Sequence, residues 1–506
     1  TDPRGNKAMD LLQGILSVLS PMNLLYCFSG AVLGTLVGVL PGLGPASTMS
    51  ILLPITTFLA PTGAIIMLCG LYYGAAYGGS TTSILVNIPG EVSSVPTCFD
   101  GFPMAQQGRA GQALWIAAVG SFIAGTLGSV LLSVVGPGVA RLALKFGPAE
   151  YTGLLVLSLL TMVGMSGASI TRGLGAGVAG MIIATAGIDP LTGLTRFSYG
   201  SMAMMRGFEI VPIAVGLFGI AEILLNLEAG ISRVFAGKTK LGRMTPPWPE
   251  VKKGLWASLR GTLLGLPLGI LPGMVPALSS FLSYDLEKKI SKYPEKFGTG
   301  VIEGVAGPEA ANNATAQSGF LPLMAFGIPT GPSMAIILAA LMMYGLQPGP
   351  VLFQVKKDFV WTVIGSMYIG NVMLLLLNLP LVGMWARISL IPYKYLGPTI
   401  LGICVVGAYS PRHTMFDVWV ALAAGVLGYA MRKTGWPPAP LILGFILGPM
   451  FETALRQSLS LGGLAIFLQR PIAAGFLILS VVMIIVSVKL LKRAPKSVLE
   501  DEEGTQ

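Results

Sequence analysis

Two short segments combine hydroxyl and amide side chains with almost no charge. Residues 78–83 read GGSTTS, and residues 312–318 read NNATAQS. Neutral oxygens of this kind suit a hard cation such as sodium, and hydroxyl and amide groups can also orient an anion. Small residues are equally routine where membrane helices pack against each other. Close helix packing is therefore the alternative explanation for both segments.

Two further segments must interrupt helices. Leu40–Pro45 reads LPGLGP and Leu271–Pro276 reads LPGMVP, and two prolines with a glycine in six residues break a helix. Broken backbone persists in a membrane only where protein or a water-filled cavity satisfies it. The half-helices would offer N–H groups to an anionic carboxylate and carbonyl oxygens to sodium. The second segment predicts the tip of a re-entrant hairpin, and a kinked pair of ordinary spans is the alternative.

One acidic residue stands out from the others near apolar runs. Ionisable side chains at membrane depth are costly and functional by default. Glu309 lies inside the segment GPEAANNA, whereas Asp189, Glu209, Glu222 and Glu452 are placed where they could lie at helix ends. Glu309 is therefore the strongest candidate for a functional intramembrane acid.

Enzyme signatures are incomplete in this sequence. Gly237-Lys238-Thr239 suggests a phosphate-binding loop, but Ser232 stands where the first glycine of that loop belongs. The four cysteines are scattered and His413 is the single histidine, so neither a zinc site nor a histidine-based catalytic centre is indicated. We predict that the protein is not an enzyme and carries no cofactor.

The elements that position these residues are hydrophobic helices. Of the 506 residues, 53% are hydrophobic and only 11% are charged, against roughly 25% charged in an ordinary globular protein. Such a composition excludes secreted, cytosolic and nucleic-acid-binding proteins, and the net charge of +10 is typical of cytoplasmic loops. The predicted fold class is all-α: a polytopic helical membrane protein with about 11–12 transmembrane helices.

Charge and composition divide the chain into five parts. Residues 1–8, ahead of Met9, are expected to be extraneous to the fold. Residues 9–230 form a first transmembrane half, 231–254 a basic cytoplasmic connector, 255–470 a second transmembrane half, and 471–506 a last transmembrane helix with a cytoplasmic tail. The connector and the tail are assigned to the cytoplasm because both are rich in Lys and Arg.

The two halves repeat the same motifs in the same order. LPGMVP follows LPGLGP at an offset of 231 residues (271 minus 40), and Gly34 and Gly38 keep that phase with Gly265 and Gly269. NIPG at 87–90 pairs with GIPT at 327–330, at an offset of 240 residues (327 minus 87). Two repeated halves with broken or re-entrant helices are the usual architecture of secondary transporters.

These motifs carry a family resemblance. GTLVGVLPGLGP, YGGSTTSILVNIPGE and GPEAANNATAQ followed by LMAFGIPTG resemble the large membrane subunit of the tripartite tricarboxylate transporters, the TctA family. The resemblance implies a carrier in the bacterial inner membrane that imports a di- or tricarboxylate, citrate-like, with an ion gradient. It also implies two partners, a small membrane subunit (TctB-like) and a periplasmic solute-binding protein (TctC-like) that delivers substrate.

We expect substrate and sodium to bind near mid-membrane, with sodium as the coupling ion. The site would lie between the tips Gly42–Ser47 and Gly273–Ala277 and the polar segments Ser80–Asn87 and Asn312–Ser318. Neither the tips nor the polar segments contain Lys or Arg, so helix dipoles and the co-transported cation would offset the anion's charge. The substrate candidates are Gly42, Gly44, Ser47, Ser80, Thr81, Thr82, Asn87, Asn312, Asn313, Thr315 and Thr330. The ion candidates are Gly42, Thr82, Gly273, Glu309 and Asn313.

Alternatives to a sodium symporter with an elevator-like or rocking movement remain open at this point. A passive anion channel also uses duplicated broken helices, and the family includes carriers of aromatic carboxylates. A membrane-embedded enzyme is disfavoured because the sequence has no cluster of His, Cys and Asp. Uphill, sodium-dependent uptake would separate a carrier from a channel.

Overall fold

The computed structural model describes residues 7–40, 44–164, 170–189, 191–228, 241–271, 273, 276–388 and 393–491. The candidate Gly42, most of the connector up to residue 240, and the tail after residue 491 lie outside these ranges. Helix α1 begins at Lys7, two residues before the predicted start of the fold. The predicted connector ends inside a helix that begins at Trp248.

The described residues form 24 α-helices. Those before the connector are α1 (Lys7–Val18), α2 (Pro21–Val39), α3 (Pro45–Thr56), α4 (Pro61–Val86), α5 (Val95–Gln106), α6 (Ala110–Ala143), α7 (Pro148–Gly164), α8 (Ile170–Ala184), α9 (Met202–Met205), α10 (Ile210–Ala214) and α11 (Ala221–Glu228). Those after it are α12 (Trp248–Ile270), α13 (Pro276–Ile290), α14 (Glu303–Ser318), α15 (Phe320–Phe326), α16 (Pro332–Met343), α17 (Pro350–Val355), α18 (Lys357–Asn378), α19 (Val382–Ile388), α20 (Tyr393–Tyr409), α21 (Met415–Lys433), α22 (Pro438–Gly462), α23 (Ile466–Gln469) and α24 (Pro471–Leu491).

Short elements complete the described fold. One π-helix (Val215–Ile220) joins α10 to α11, and 3₁₀ turns occupy Val92–Ser94, Pro294–Lys296 and Gly463–Ala465. Two-residue strands β1 (Gly187–Ile188) and β2 (Thr195–Arg196) pair antiparallel. Proline occupies the first position of α2, α3, α4, α16 and α22, where its missing N–H breaks no helical bond.

Six helical segments among the described residues are long and apolar enough to cross a membrane. They are Pro21–Val39, Ala110–Ala143, Ile210–Glu228, Lys357–Asn378, Met415–Lys433 and Pro438–Gln469, and five apolar helices of 10–17 residues accompany them. The predicted all-α class of multi-pass membrane protein is confirmed. The number of about 11–12 crossings stays a prediction, since a crossing needs roughly 20 residues and several apolar helices are shorter.

Glycines bring α2 against α4 along the first half. A Cβ atom added at any of three glycines spaced four residues apart would lie less than 3.0 Å from a backbone carbonyl oxygen of α4. The contacts are Gly30 with Met67, Gly34 with Leu71, and Gly38 with Ala75. Because the residue numbers rise together, α2 and α4 run in the same direction. The intervening α3 must therefore carry the chain back.

The second half repeats this arrangement in α12 and α14. Its contacts are Gly261 with the Gly307 carbonyl, Gly265 with Ala311, and Gly269 with Thr315. The glycines follow those of the first half at 231 residues, and the carbonyls at 240. Helix α13 returns the chain, and Arg260 on α12 donates to Glu287 on α13 from Nε (2.8 Å) and Nη2 (2.5 Å). Helices α12 and α13 thus form a hairpin. Residues 272, 274 and 275 of its predicted tip lie outside the described residues, and the re-entrant course of the hairpin stays a prediction.

Contacts between α14 and α6 establish the direction in which α14 runs. Asn313 Nδ2 on α14 donates to Ser121 Oγ on α6 (2.8 Å), and Gln317 Nε2 donates to Ser129 Oγ (2.9 Å). The residue numbers rise together along both helices. Helix α14 therefore runs parallel to α6.

Helix α18 runs the opposite way along α6. Asn371 Nδ2 donates to the Phe122 carbonyl (2.8 Å), and the Tyr368 hydroxyl lies 3.0 Å from Ser133 Oγ. A later residue of α18 thus meets an earlier residue of α6. Helix α18 is antiparallel to α6 and hence to α14.

Contacts between α4 and α18 establish the direction in which α4 runs. The Tyr73 hydroxyl donates to the Ser366 carbonyl (3.4 Å), and the Tyr77 hydroxyl donates to Asn371 Oδ1 (2.6 Å). Helix α4 is therefore parallel to α18 and antiparallel to α14, its counterpart in the repeat. Two halves with the same local packing and opposite directions form an inverted repeat, the architecture in which transporter sites lie between the halves.

Candidate functional site

Each half places a helix break beside its own hairpin tip. Helix α4 ends at Asn87, whose φ of 57° is left-handed, and the following Gly90 packs against Gly38 and Gly79. In the second half Gly327, with a φ of 74°, ends α15, and the Gly273 N–H donates to the Thr330 carbonyl (3.1 Å). The N–H of Gly273 is therefore already bonded within the protein.

Glu309 lies where the two inverted helices meet. Its side chain is completely buried, Ser80 Oγ on α4 donates to its Oε2 (2.6 Å), and the Thr97 hydroxyl on α5 donates to its Oε1. Among the described residues, no Lys, Arg or His nitrogen lies within 4.0 Å of this carboxylate. It is a buried acid that is hydrogen-bonded but has no cationic partner in the described structure.

The other acidic candidates are ion-paired. Glu209 pairs with Arg412 and Glu222 pairs with Arg432. Asp189 and Glu452 share a cluster with Arg196 and Arg456 beside the β-hairpin. The Thr192 hydroxyl and the Leu191 N–H donate to Asp189 and hold the pKa of its carboxyl well below its usual range. Glu309 is thus set apart from these acids by its lack of a cationic neighbour, as well as by its position.

Glu91 is a site residue that the sequence reasoning missed. It follows the helix break at 87–90 directly, and this position was the available signal. The Ser93 hydroxyl donates to its Oε1, as does Asn312 Nδ2 at 3.4 Å. A Cβ atom on Gly79 would lie 3.2 Å from Glu91 Cγ. The chain therefore folds this partly buried acid back onto the turn of α4 that also carries Ser80.

The amides of α14 have different environments. Asn313 Nδ2 donates to Ser121 Oγ and to the Glu309 carbonyl (3.0 Å). Asn312 donates to Glu91, but its Oδ1 is buried with no hydrogen-bond partner in the structure. A buried polar atom without a partner is unfavourable. Asn312 thus leaves an unused acceptor next to the acids.

A small cavity lies beside this cluster. It is lined by polar groups from α4, α6 and α18 and by apolar residues of α6: Tyr77, Ser80, Thr81, Leu114, Ala117, Ala118, Ser121 and Asn378. Asn378 Oδ1 is a second buried amide oxygen without a partner. The cavity therefore offers hydroxyl and amide groups to a polar guest, and none of its lining residues is charged.

The remaining candidates are placed differently. The Thr82 and Ser83 hydroxyls donate back to the Gly79 carbonyl within α4, and Thr315 Oγ1 donates to the Gly265 carbonyl of α12 (3.1 Å). Ser47 is buried on α3, and Gly44 caps that helix with no atom within 4 Å of an added Cβ. The structure thus brings together Ser80, Thr81, Glu309, Asn312 and Asn313. Thr82 instead bonds within its own helix, Thr315 bonds to α12, and Asn87 forms a turn.

An aspartate of the first half anchors the start of α14. Asp100 on α5 is completely buried, and its Oδ1 accepts from the backbone N–H groups of Gly298 (3.0 Å), Gly300 (2.8 Å) and Val301 (2.8 Å). The Tyr284 hydroxyl donates to its Oδ2 (2.9 Å). Three converging N–H donors stabilise the carboxylate, and the bonds hold α14 beside α5, which carries Thr97.

Comparisons with known proteins identify the family of this chain. The family model described as "Tripartite tricarboxylate transporter TctA family" matches residues 24–443. "Uncharacterized 52.8 kDa protein in TAR-I ttuC' 3'region" of Agrobacterium vitis is 46% identical over 494 residues, covering 95% of this chain and 96% of the relative. "Uncharacterized protein in TAR-II ttuC' 3'region" of the same organism is 46% identical over 206 residues, 40% of this chain and 85% of that relative. No solved structure matches. The chain belongs to the TctA family of tripartite tricarboxylate transporters, as a multi-pass membrane subunit.

Proposed function

We propose that this subunit imports a di- or tricarboxylate by sodium symport across the bacterial inner membrane. A small membrane subunit would accompany it, and a periplasmic solute-binding protein would deliver the substrate. Membership of the TctA family supports a role in tricarboxylate transport. The choice of sodium is our inference from the site, whereas import and the carboxylate substrate are our inferences from the family.

The observation that carries the proposal is the polar contact between the inverted halves. Ser80 belongs to α4 and Glu309 to α14, and these counterpart helices run in opposite directions. Secondary transporters bind substrate and coupling ion at such an interface, where a movement of one half against the other changes the exposed side. An elevator-like or rocking movement fits this arrangement.

The carboxylate would bind beside the contact after a movement of the halves widens this cavity, which in the present conformation is no larger than one water molecule. Ser80, Thr81, Tyr77 and Ser121 line it with hydroxyl groups, and Asn378 adds an amide. Ser80, Tyr77 and Asn378 already donate their hydrogens within the protein. The Thr81 and Ser121 hydroxyls remain as the donors that can hold carboxylate oxygens. Because no charged residue lines the cavity, a bound anion needs a cation nearby, and substrate binding would then depend on sodium. Such coupling is reciprocal.

Uptake by the three-component system tests this proposal. Cells that produce the chain with its small subunit and binding protein should accumulate a labelled di- or tricarboxylate against its gradient when sodium is present. Replacing sodium by choline, or dissipating the sodium gradient, should abolish accumulation. Equilibration without accumulation would indicate a channel, and uptake restricted to aromatic acids would change the substrate class.

A further inference from the structure

Two carboxylates meet at one turn of α4. Ser80 on that turn donates to Glu309, and the preceding Gly79 packs against Glu91. Asn312 lies three residues after Glu309 on α14 and donates to Glu91 Oε1 (3.4 Å). Glu309 and Glu91 therefore contact neighbouring positions of α4, Ser80 and Gly79. One turn of α14 carries both Glu309 and the Asn312 that bonds Glu91.

The charge of this pair is uncompensated in the described part of the chain. Neither Glu91 nor Glu309 forms an ion pair with any described Lys, Arg or His. Both oxygens of Glu309 accept hydroxyl hydrogen bonds, an arrangement that suits the ionised acid. A buried ionised carboxylate without a counter-charge is strongly unfavourable, so each of these acids must either take up a proton or bind a cation.

Asn312 points independently to a ligand. Its side chain is completely buried, and its Oδ1 has no hydrogen-bond partner among the described residues. The amide orientation follows from its neighbour, because Nδ2 must face the Glu91 carboxylate for a hydrogen bond to form. The free oxygen belongs to the same amide group, next to the acids. A carbonyl oxygen beside two carboxylates is a ligand set for a hard cation.

We propose that one sodium ion binds between Glu91, Glu309 and Asn312 Oδ1. The hydroxyls of Ser80, Thr97 and Ser93 orient the two carboxylates. A single positive charge balances the fully enclosed Glu309, while Glu91 is only partly buried. The inference rests on the proposed sodium symport and names the site of that ion, which differs from a site at the hairpin tips.

This site couples the ion to the arrangement of the halves. Glu309 and Asn312 come from the second half, whereas Glu91, Ser80 and Thr97 come from the first. A bound sodium ion therefore joins the halves, and its loss leaves two repelling carboxylates at their interface. Occupied and empty sites would favour different relative positions of the halves, as coupled transport requires.

Thermal unfolding of the purified full-length chain tests the site without requiring transport. Sodium chloride should raise the Tm relative to choline chloride at equal ionic strength, because an ion that binds the folded state stabilises it. Glu309→Gln should lose the sodium-specific shift, and Glu91→Gln and Asn312→Ala should each need at least about tenfold more sodium for the same shift, since each loses a contact to a charged group. Glu303→Gln, on the same helix and outside the cluster, should respond as the unaltered chain does.

Each outcome decides the proposal. A normal sodium shift in both Glu91→Gln and Asn312→Ala would overturn it, as would an equal shift with magnesium or a shift produced by acid alone. These two variants keep Glu309, so they decide the question even if Glu309→Gln does not fold. Uptake assays separate this inference from the proposed function. A sodium shift that depends on the three residues, in a system that transports no carboxylate, would support the ion site and contradict the symporter.

Discussion

The two halves share a backbone design but differ in the chemistry that it carries. Glycines at matching positions bring α2 onto α4 and α12 onto α14. At the 240-residue offset, however, Glu309, Asn312, Asn313 and Gln317 of α14 correspond to Cys69, Tyr72, Tyr73 and Tyr77 of α4. The repeat therefore specifies how closely the helices approach. The second half supplies Glu309 and the amides of α14, while the first half supplies Glu91.

The return arms of the hairpins differ as well. Helix α3 buries apolar side chains such as Met49, Ile51 and Leu53, and it packs mainly against the π-helix, α16, α20 and α4. Helix α13 instead buries three serines and Glu287 and packs mainly against α14. The second hairpin is thus held to its own half by the Arg260–Glu287 pair and by the bond from Ser279 to the Ala311 carbonyl of α14. The first hairpin packs its apolar side chains against its neighbours.

The two rows of closely packed glycines, at residues 30, 34 and 38 of α2 and at residues 261, 265 and 269 of α12, should be equally essential for folding. Gly34→Val and Gly265→Val each place side-chain atoms less than 3.0 Å from a backbone carbonyl, so either should abolish the folded protein. Overpacking usually costs about 1–3 kcal/mol, and backbone atoms yield less readily than side chains. The yield of monodisperse protein in detergent measures this effect.

The exposed Gly138 on α6 provides the control for the two valine variants. No atom lies within 4 Å of a Cβ added there, so Gly138→Ala should leave the yield unchanged or raise it. A normal yield of either valine variant would contradict the close approach of that helix pair.

Asp100→Ala should have the next largest effect. It removes the acceptor for three backbone N–H groups at the start of α14, and each buried donor left unpaired costs about 1–3 kcal/mol. We expect a loss of about 3 kcal/mol in unfolding free energy, seen as a lower Tm. Asp100→Asn keeps an acceptor oxygen and should lose less. Equal losses in the two variants would mean that the charge of Asp100 matters more than its hydrogen bonds.

The Arg260–Glu287 pair distinguishes the two hairpins. Arg260→Ala leaves Glu287, which is 1% exposed, without its cation and should cost about 2 kcal/mol, less than a fully buried pair because solvent reaches Arg260. Ser29 occupies the corresponding position of the first half, at the 231-residue offset. Ser29→Ala should change the Tm little. Comparable losses in both variants would remove the proposed difference between the hairpins.

The smallest expected effect is the difference between variants at matching positions of α4 and α14. Asn313→Ala removes hydrogen bonds to Ser121 and to the Glu309 carbonyl. It should lower the initial uptake rate by a factor that corresponds to about 1–2 kcal/mol, while leaving expression intact. Tyr73→Phe removes only a 3.4 Å bond to Ser366. Its effect on the initial uptake rate should correspond to no more than about 0.5 kcal/mol. Initial uptake rates across a substrate titration measure both. Normal uptake in Asn313→Ala would assign that residue to packing.

Local features of the sequence were enough to predict the class, the repeat and the helix breaks. Few charges and long apolar runs require membrane helices, and proline with glycine interrupts a helix wherever it occurs. The breaks at Leu40–Pro45 and Leu271–Pro276 and the matching glycine phases follow from such short-range rules. Glu309 was identifiable because an acid within an apolar segment is exceptional.

Only the tertiary structure decided which distant residues meet. Ser80 and Glu309 are 229 residues apart in the chain, and Glu91 and Asn312 are 221 apart. Spacing along one helix predicts neither contact, because both depend on α4 and α14 packing in opposite directions. The same packing leaves Asn312 Oδ1 without a partner while Thr82 bonds within its own helix. Sequence determines where a backbone can bend and which side chains are polar, whereas the packing of the two halves determines which polar atoms remain free to bind a ligand.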